Sequence, residues 1–213
     1  MYVCHFFQNL KKKIRWSCYA RVDRMTDSLA QEMRKAGCFA IQFGIESGNQ
    51  KILDSIKKNI TISQVENAVD CVNKNNIKVM GDFMIGLPGD TRETVLETLN
   101  FAIKLKLKLA FFSITTPFPG TSLYKNYPYA EKVSKTEIFE AYSLHGNSQY
   151  RNENLTSSEI RELYKYCIKR FYIRISFAID IIKWLIRNPW DIKNYFSLFM
   201  AFLESRHSEI NEE

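Results

Sequence analysis

The chain has 213 residues, of which 46% are hydrophobic, 14% aromatic and 25% charged. That length and balance suit one full core with room for an appended subdomain, and they exclude a disordered polypeptide. The formal charge of +7 invites a nucleic-acid or anionic-membrane partner. Only Lys11 to Lys13 and the Lys104, Lys106, Lys108 set are clustered, so solvated faces are expected and no nucleic acid.

Five cysteines stand at positions 4, 18, 38, 71 and 167, and no two share a metal-ligand or redox-motif spacing. The odd count points to buried thiols in a reducing compartment. At the N-terminus the apolar residues come before Lys11 to Lys13, the reverse of a secretory leader. A cytoplasmic location is expected.

In chain order, residues 14–20 read as a short strand and 26–37 as a helix stopped by Gly37. Residues 38–45 form an apolar strand, and a short helix follows around 49–56. Thr61 to Gln64 is a capping box opening a helix that runs to about Asn75. The strand 77–86 comes next, then a helix capped by Asp90 to Glu93 and running to about Leu105, then a strand over 108–116. Short strands alternating with helices imply parallel pairing through right-handed crossovers, with the strands covered on both faces. The fold class is α/β, either an open doubly wound sheet or part of a parallel β/α barrel.

The pattern changes after Pro128. Residues 155–188 open with a capping box, Thr156 to Glu159, and stay helix-compatible until Asn188 and Pro189. A further helix is expected over 190–206. Its charge-free stretch, 195–203, is too short to span a bilayer, and Arg174, Asp180, Lys183 and Arg187 interrupt the longer segment. The expected division is a barrel-like part over 1–128 and a mainly helical extension over 129–213.

Each strand ends in chemically distinctive residues: Arg21 and Asp23; Gly44 to Gly48; Gly86 to Asp90; Thr115 to Thr121. In parallel α/β folds these ends share one face, which carries ligands. Gly44 and Gly48 allow close approach to the backbone, and Glu46 accepts hydrogen bonds from hydroxyl or ammonium groups. Gly86 and Gly89 around Pro88 make a turn with free N–H groups at a helix start, which would also suit a phosphate. Pro117 and Pro119 hold the last loop extended. Plainer readings stay open: a helix-start carboxylate for Glu46, an ordinary turn for Gly86 to Gly89, a local surface pair for Arg21 and Asp23. Met80 and Met84 read as core, and His5, His145 and His207 share no metal-like spacing.

Taken in order, the stretches 21–26, 35–53, 81–94 and 117–124 resemble the second half of the core domain of radical S-adenosylmethionine enzymes. The resemblance covers roughly residues 10–125 and is strongest to the subgroup with an upstream cobalamin-binding domain. It implies a partial parallel barrel of six strands, of which this chain supplies about strands three to six. Met1 then falls in the helix between the family's strands two and three.

The resemblance places Glu46 beside the ribose or methionine end of S-adenosylmethionine, with Ser47 as a weaker candidate and Gly44 next to them. It places Ile85 and Gly86 against adenine, with Pro88 in the same loop and the Pro117 segment closing the pocket. Arg21 matches a cavity-facing position without a definite role. The family's 4Fe–4S cluster requires a Cys-x-x-x-Cys-x-x-Cys motif, which the cysteines here do not make. The cluster, and any cobalamin, would therefore come from a cluster-bearing N-terminal half or partner chain, and the first strand here would be an open edge.

The implied activity is generation of a 5′-deoxyadenosyl radical for methylation or another radical transformation. The alternative is a non-catalytic split subunit or remnant acting through a partner chain. The aromatic and basic residues of the C-terminal helices also suit peripheral membrane contact, or packing against a partner.

Overall fold

The structure is a computed structural model, which describes residues 2–126 and 150–187 together with 189, 192 and 193. Two compact units are present, Met1–Tyr172 and Ile173–Glu213. In the first, helix α1 (Tyr2–Gln8) precedes strand β1 (Trp16–Ala20), a 3-10 turn (Val22–Arg24) and helix α2 (Asp27–Lys35). Strand β2 (Cys38–Glu46), helices α3 (Gln50–Ser55) and α4 (Ile62–Lys74), strand β3 (Lys78–Ile85) and helix α5 (Arg92–Lys104) follow. Strand β4 (Leu109–Ile114), the short helix α6 (Ser122–Asn126) and helix α7 (Ser157–Tyr172) complete it.

The local causes are the expected ones with small displacements. Thr26 caps α2 through Leu29 N, and Asn49 caps α3 through Ile52 N. Thr61 and Gln64 form the expected reciprocal capping box. Helix α5 is capped by Thr91, with Thr94 closing the box, and not by Asp90. Asp90 turns inward to another task, described below. The expected helix over 155–188 is interrupted at Ile173 and Arg174, after which α8 (Ile175–Arg187) begins in the second unit. The helix expected over 190–206 lies almost wholly outside the described residues.

All four strands are parallel, in the order β1-β2-β3-β4. A doubly wound sheet would reverse its order at a switch point, and this one does not, which leaves the barrel-type arrangement. One face is sealed. Ile41, Phe43 and Ile45, Val79, Phe83 and Ile85, and Ala110, Phe112 and Ile114 are all buried there. Against them the helices bring Val65, Val69, Val72, Leu99, Leu163, Cys167 and Phe171, also buried. Phe83 stacks on Phe112 at 5.5 Å between ring centroids, and Phe171 meets Phe112 edge-on at 6.0 Å.

The other face alternates out of this core. Registers align Tyr19, Gln42, Met80 and Leu109 in one row, and Gly44, Asp82 and Phe111 in the next. Tyr19 is 76% and Phe111 41% exposed, and Met80 and Met84 are half-buried on this open face instead of joining the core. A parallel sheet normally covers both faces, so the expectation of two-sided cover is met on one side only among the described residues.

Helix α7 belongs with the sheet. The Tyr172 hydroxyl donates to Ala110 O at 2.9 Å and accepts from Ala110 N at 3.2 Å, occupying ladder groups on β4. The first unit therefore runs past the boundary expected after residue 128. In the second unit, α8 shows a stripe of exposed isoleucines at 175, 179, 182 and 186. Among the described residues, no helix is long and apolar enough to cross a membrane.

Candidate cofactor site

The chemistry expected at the ends of the strands gathers mainly at the end of β2. Its register slips between Gly44 and Glu46, and Glu46 takes a left-handed φ of 72°. Few non-glycine residues adopt this backbone, and such strain concentrates at functional sites. The Glu46 carboxylate lies 2.7 Å from Lys58 Nζ, with both side chains about one quarter exposed at 22% and 27%. A Cβ on Gly44 would stand 3.0 Å from Glu46 Oε1 and 3.3 Å from Lys58 Nζ. Glycine at 44 thus lets both charged ends sit close against the strand backbone.

Asp82 lies opposite Gly44 on β3 and accepts a 2.5 Å hydrogen bond from Gln42 Nε2. Burial pushes its carboxyl above the usual range; Gln42 and Lys58 pull it down, and Glu46 pushes it further up. Two carboxylates and one ammonium thus share a small region of the open face. Lys58 and Asp82 escaped sequence reasoning: Lys58 follows a helix end twelve positions from Glu46, and Asp82 reads as a strand interior. Only the alternation of β3, which puts Asp82 in phase with the half-buried Met80 and Met84, could have signalled it.

The other expected residues are distributed unevenly. Ser47 is 1% exposed, with its hydroxyl 3.1 Å from Thr98 Oγ1 and accepting from Asn49 N, so it braces the turn into α3. Arg21 is 61% exposed and forks onto Asp23 through Nε and Nη2 at 2.9 and 3.2 Å, the local surface pair. Ile85 is fully buried, and Pro117 is buried beyond β4. Pro88 borders a cavity of about 950 Å³ that Leu87, Lys57, Leu123 and Arg151 also line.

The turn after β3 corrects one expectation. Its N–H groups are not free: Gly86 N and Leu87 N donate to Asp90 Oδ2 at 3.1 and 2.8 Å, and Gly89 N donates to Glu153 at 2.6 Å. Pro88 has none to offer. A phosphate would find these donors taken, which removes the basis for a phosphate site there. Gly86 adopts φ 84°, and a Cβ on it would meet Ile160 Cδ1 at 2.8 Å.

These residues fit S-adenosylmethionine. Its methionine carboxylate suits Lys58, and its ammonium, sulfonium and ribose hydroxyls suit Glu46 and Asp82. Next to Ile85, the buried Thr115 hydroxyl has no hydrogen-bond partner among the described residues, although Thr115 N donates to Ile85 O at 2.9 Å. An orphaned buried hydroxyl is unusual and suits a polar ligand edge.

The residues do not fit an iron–sulfur cluster. The five cysteines sit on α1, β1, β2, α4 and α7, and among the described residues no group of three His, Cys, Asp or Glu could hold a metal ion.

A parallel sheet in sequential strand order, with a charged cluster at the end of one strand, has the arrangement of part of a β/α barrel. The sequence model of the Radical SAM superfamily matches residues 5–102, a little under half of the chain, and over this stretch the chain is similar to that superfamily. An uncharacterised methyltransferase of Pyrococcus horikoshii is 35% identical over 161 residues, covering 76% of this chain and 35% of the relative. The anaerobic magnesium-protoporphyrin IX monomethyl ester cyclase of Cereibacter sphaeroides is 28% identical over 187 residues, or 86% of this chain and 28% of its own. The chain thus spans about a third of the length of these curated relatives. Among solved structures, the radical SAM enzyme coproporphyrinogen III oxidase of Escherichia coli superposes with a TM-score of 0.53 at 12% identity, over 74% of this chain and 32% of that one. That likeness supports the fold.

Proposed function

We propose that this chain supplies the S-adenosylmethionine-binding half of a radical SAM enzyme, completed by a cluster-bearing segment or partner chain, for a methyl transfer or a cyclisation. The carrying observation is the strained Glu46, held against Lys58 and facing Asp82 on the open side of the sheet. Bound there, the cofactor supplies the sulfonium on which the superfamily's reductive chemistry acts. Lys58 takes the methionine carboxylate, while Glu46 and Asp82 take the ribose hydroxyls and balance the positive sulfonium. The backbone of Ile85 and Gly86 forms the adenine wall, Thr115 offers its hydroxyl at the ring edge, and the Pro117 segment closes over it. Gly44 keeps the floor open.

The exposed Tyr19 and Phe111 on that face, together with the β1 edge, which pairs with no further strand among the described residues, support a covering partner. The same surface serves the reading in which the chain is a non-catalytic subunit. Methyl transfer with cobalamin from a further domain is the finer reading, supported by the resemblance and by the methyltransferase name of one relative.

Equilibrium dialysis of the purified chain against labelled S-adenosylmethionine tests the cofactor reading. Saturable binding is expected, weakened about tenfold by Glu46→Gln, because one charge-assisted hydrogen bond is lost. No saturable binding, or an unchanged affinity in the variant, would overturn it. The partner requirement has its own check: the reconstituted chain alone should release no 5′-deoxyadenosine, and substantial release would sink the half-enzyme reading.

A further inference from the structure

The turn that forms the adenine wall is gripped from a distance. Asn152 Nδ2 donates to Leu87 O at 2.9 Å and to Asp90 O at 3.1 Å. Its Oδ1 accepts from Asn154 N at 3.0 Å and Leu155 N at 2.7 Å. Four bonds use both amide donors and both lone pairs, so the amide orientation is set by the network itself. Asn154 Nδ2 adds longer contacts of 3.3 Å to Gly89 O and Asp90 O, and Glu153 holds Gly89 N.

The turn therefore has its outward carbonyls and one amide read by side chains more than sixty positions away. Behind this strap, Leu155 and Ile160 are buried, and Ile160 packs where Gly86 lacks a Cβ. Strands and helices alone do not require such a strap. A packed loop can be fastened by apolar contacts, whereas paired carbonyl contacts specify one backbone geometry.

We propose that Asn152, outside the superfamily-matched stretch, is a positioning residue that holds the Gly86 to Asp90 turn in the shape that receives the adenine of S-adenosylmethionine; this rests on the cofactor reading above. Asn152→Asp retains the acceptor for Asn154 N and Leu155 N but turns both donors into an oxygen facing Leu87 O and Asp90 O. The full chain and its variants are compared by equilibrium dialysis with S-adenosylmethionine and by amide hydrogen exchange.

Asn152→Asp is expected to weaken binding about five- to tenfold and to speed exchange at Gly86, Leu87 and Gly89, with the β2 amides protected as before. Glu153→Gln keeps the acceptor for Gly89 N and should stay within twofold of the parent. If Asn152→Asp loses protection in β2 as well, Asn154→Ala, which removes only the two long contacts, serves in its place, with an expected two- to threefold loss. Affinity within twofold of the parent in the folded variant, or unchanged exchange at the turn, would overturn the proposal. Absence of binding by the parent chain would sink the cofactor reading itself, while the exchange comparison still decides whether Asn152 fastens the turn.

Discussion

Replacing Asp90 by alanine is expected to destabilise the chain by about 3 kcal/mol near neutral pH and to flatten its dependence on pH. Asp90 is 2% exposed, and its two oxygens accept from Gly86 N, Leu87 N and the Thr94 hydroxyl. Alanine would leave the two backbone amides without a partner in a dry turn, while the Thr94 hydroxyl keeps the Thr91 carbonyl oxygen at 3.1 Å. Burial pushes the Asp90 carboxyl up to about 6, against the bonds from Thr94, Leu87 and Gly86 that pull it down, and Glu153 adds a further push.

The sign follows from linkage. The folded chain holds this proton more tightly than the unfolded chain, whose carboxyl titrates near 4. The contribution is full below about pH 4 and is lost as pH rises to about 6, by roughly 3 kcal/mol. Protonation is compatible with the turn, because the Thr94 hydroxyl can rotate to accept while Oδ2 keeps both amides. Thermal unfolding followed by circular dichroism between pH 4 and 7.5 checks this: the parent should lose stability relative to Asp90→Ala across that window. Parallel curves would show that Asp90 does not titrate as argued.

The other large effect is expected at Gly37→Ala, with a loss of about 3–5 kcal/mol. Gly37 follows α2 with φ 91°, and a Cβ there would sit 2.1 Å from the carbonyl oxygen of Ile14. A backbone atom cannot rotate away as a side chain would. Its own carbonyl accepts from Trp16 N at 3.3 Å, so relief by shifting Gly37 would pull β1 out of register against β2. Denaturant unfolding checks it: a midpoint near that of the parent would mean that β1 and its approach are far softer than the contacts imply.

How much of this was readable in advance depends on the range of the interaction. Gly37, the Thr61 capping box and the four strands are stated by neighbouring residues, because turn chemistry, capping and apolar periodicity act over a few positions. For the same reason Glu46 stood out, an acid at the end of an apolar run between glycines. Asp90 was legible as a capping residue by type, yet the cap belongs to Thr91, since the carboxylate gains more by satisfying two buried amides of the preceding turn. The turn itself looked open in sequence and is closed in space, because Glu153 and Asn152 arrive from another segment.

The amino-acid sequence alone determined the α/β alternation, the positions of the strands, the superfamily resemblance and the lack of cluster-type cysteine spacing. All of these are properties of residue order over short windows. The tertiary structure decided which face of the sheet is sealed, that Lys58 and Asp82 join Glu46 while Ser47 and Arg21 turn to structural partners, and that a distant strap occupies the Gly86 to Asp90 turn. Those outcomes depend on strand register and crossover packing, which place residues 12 to 65 positions apart within hydrogen-bond reach. No local pattern encodes them, because the free energy that selects one such pairing over another is realised only when the sheet and its helices close together.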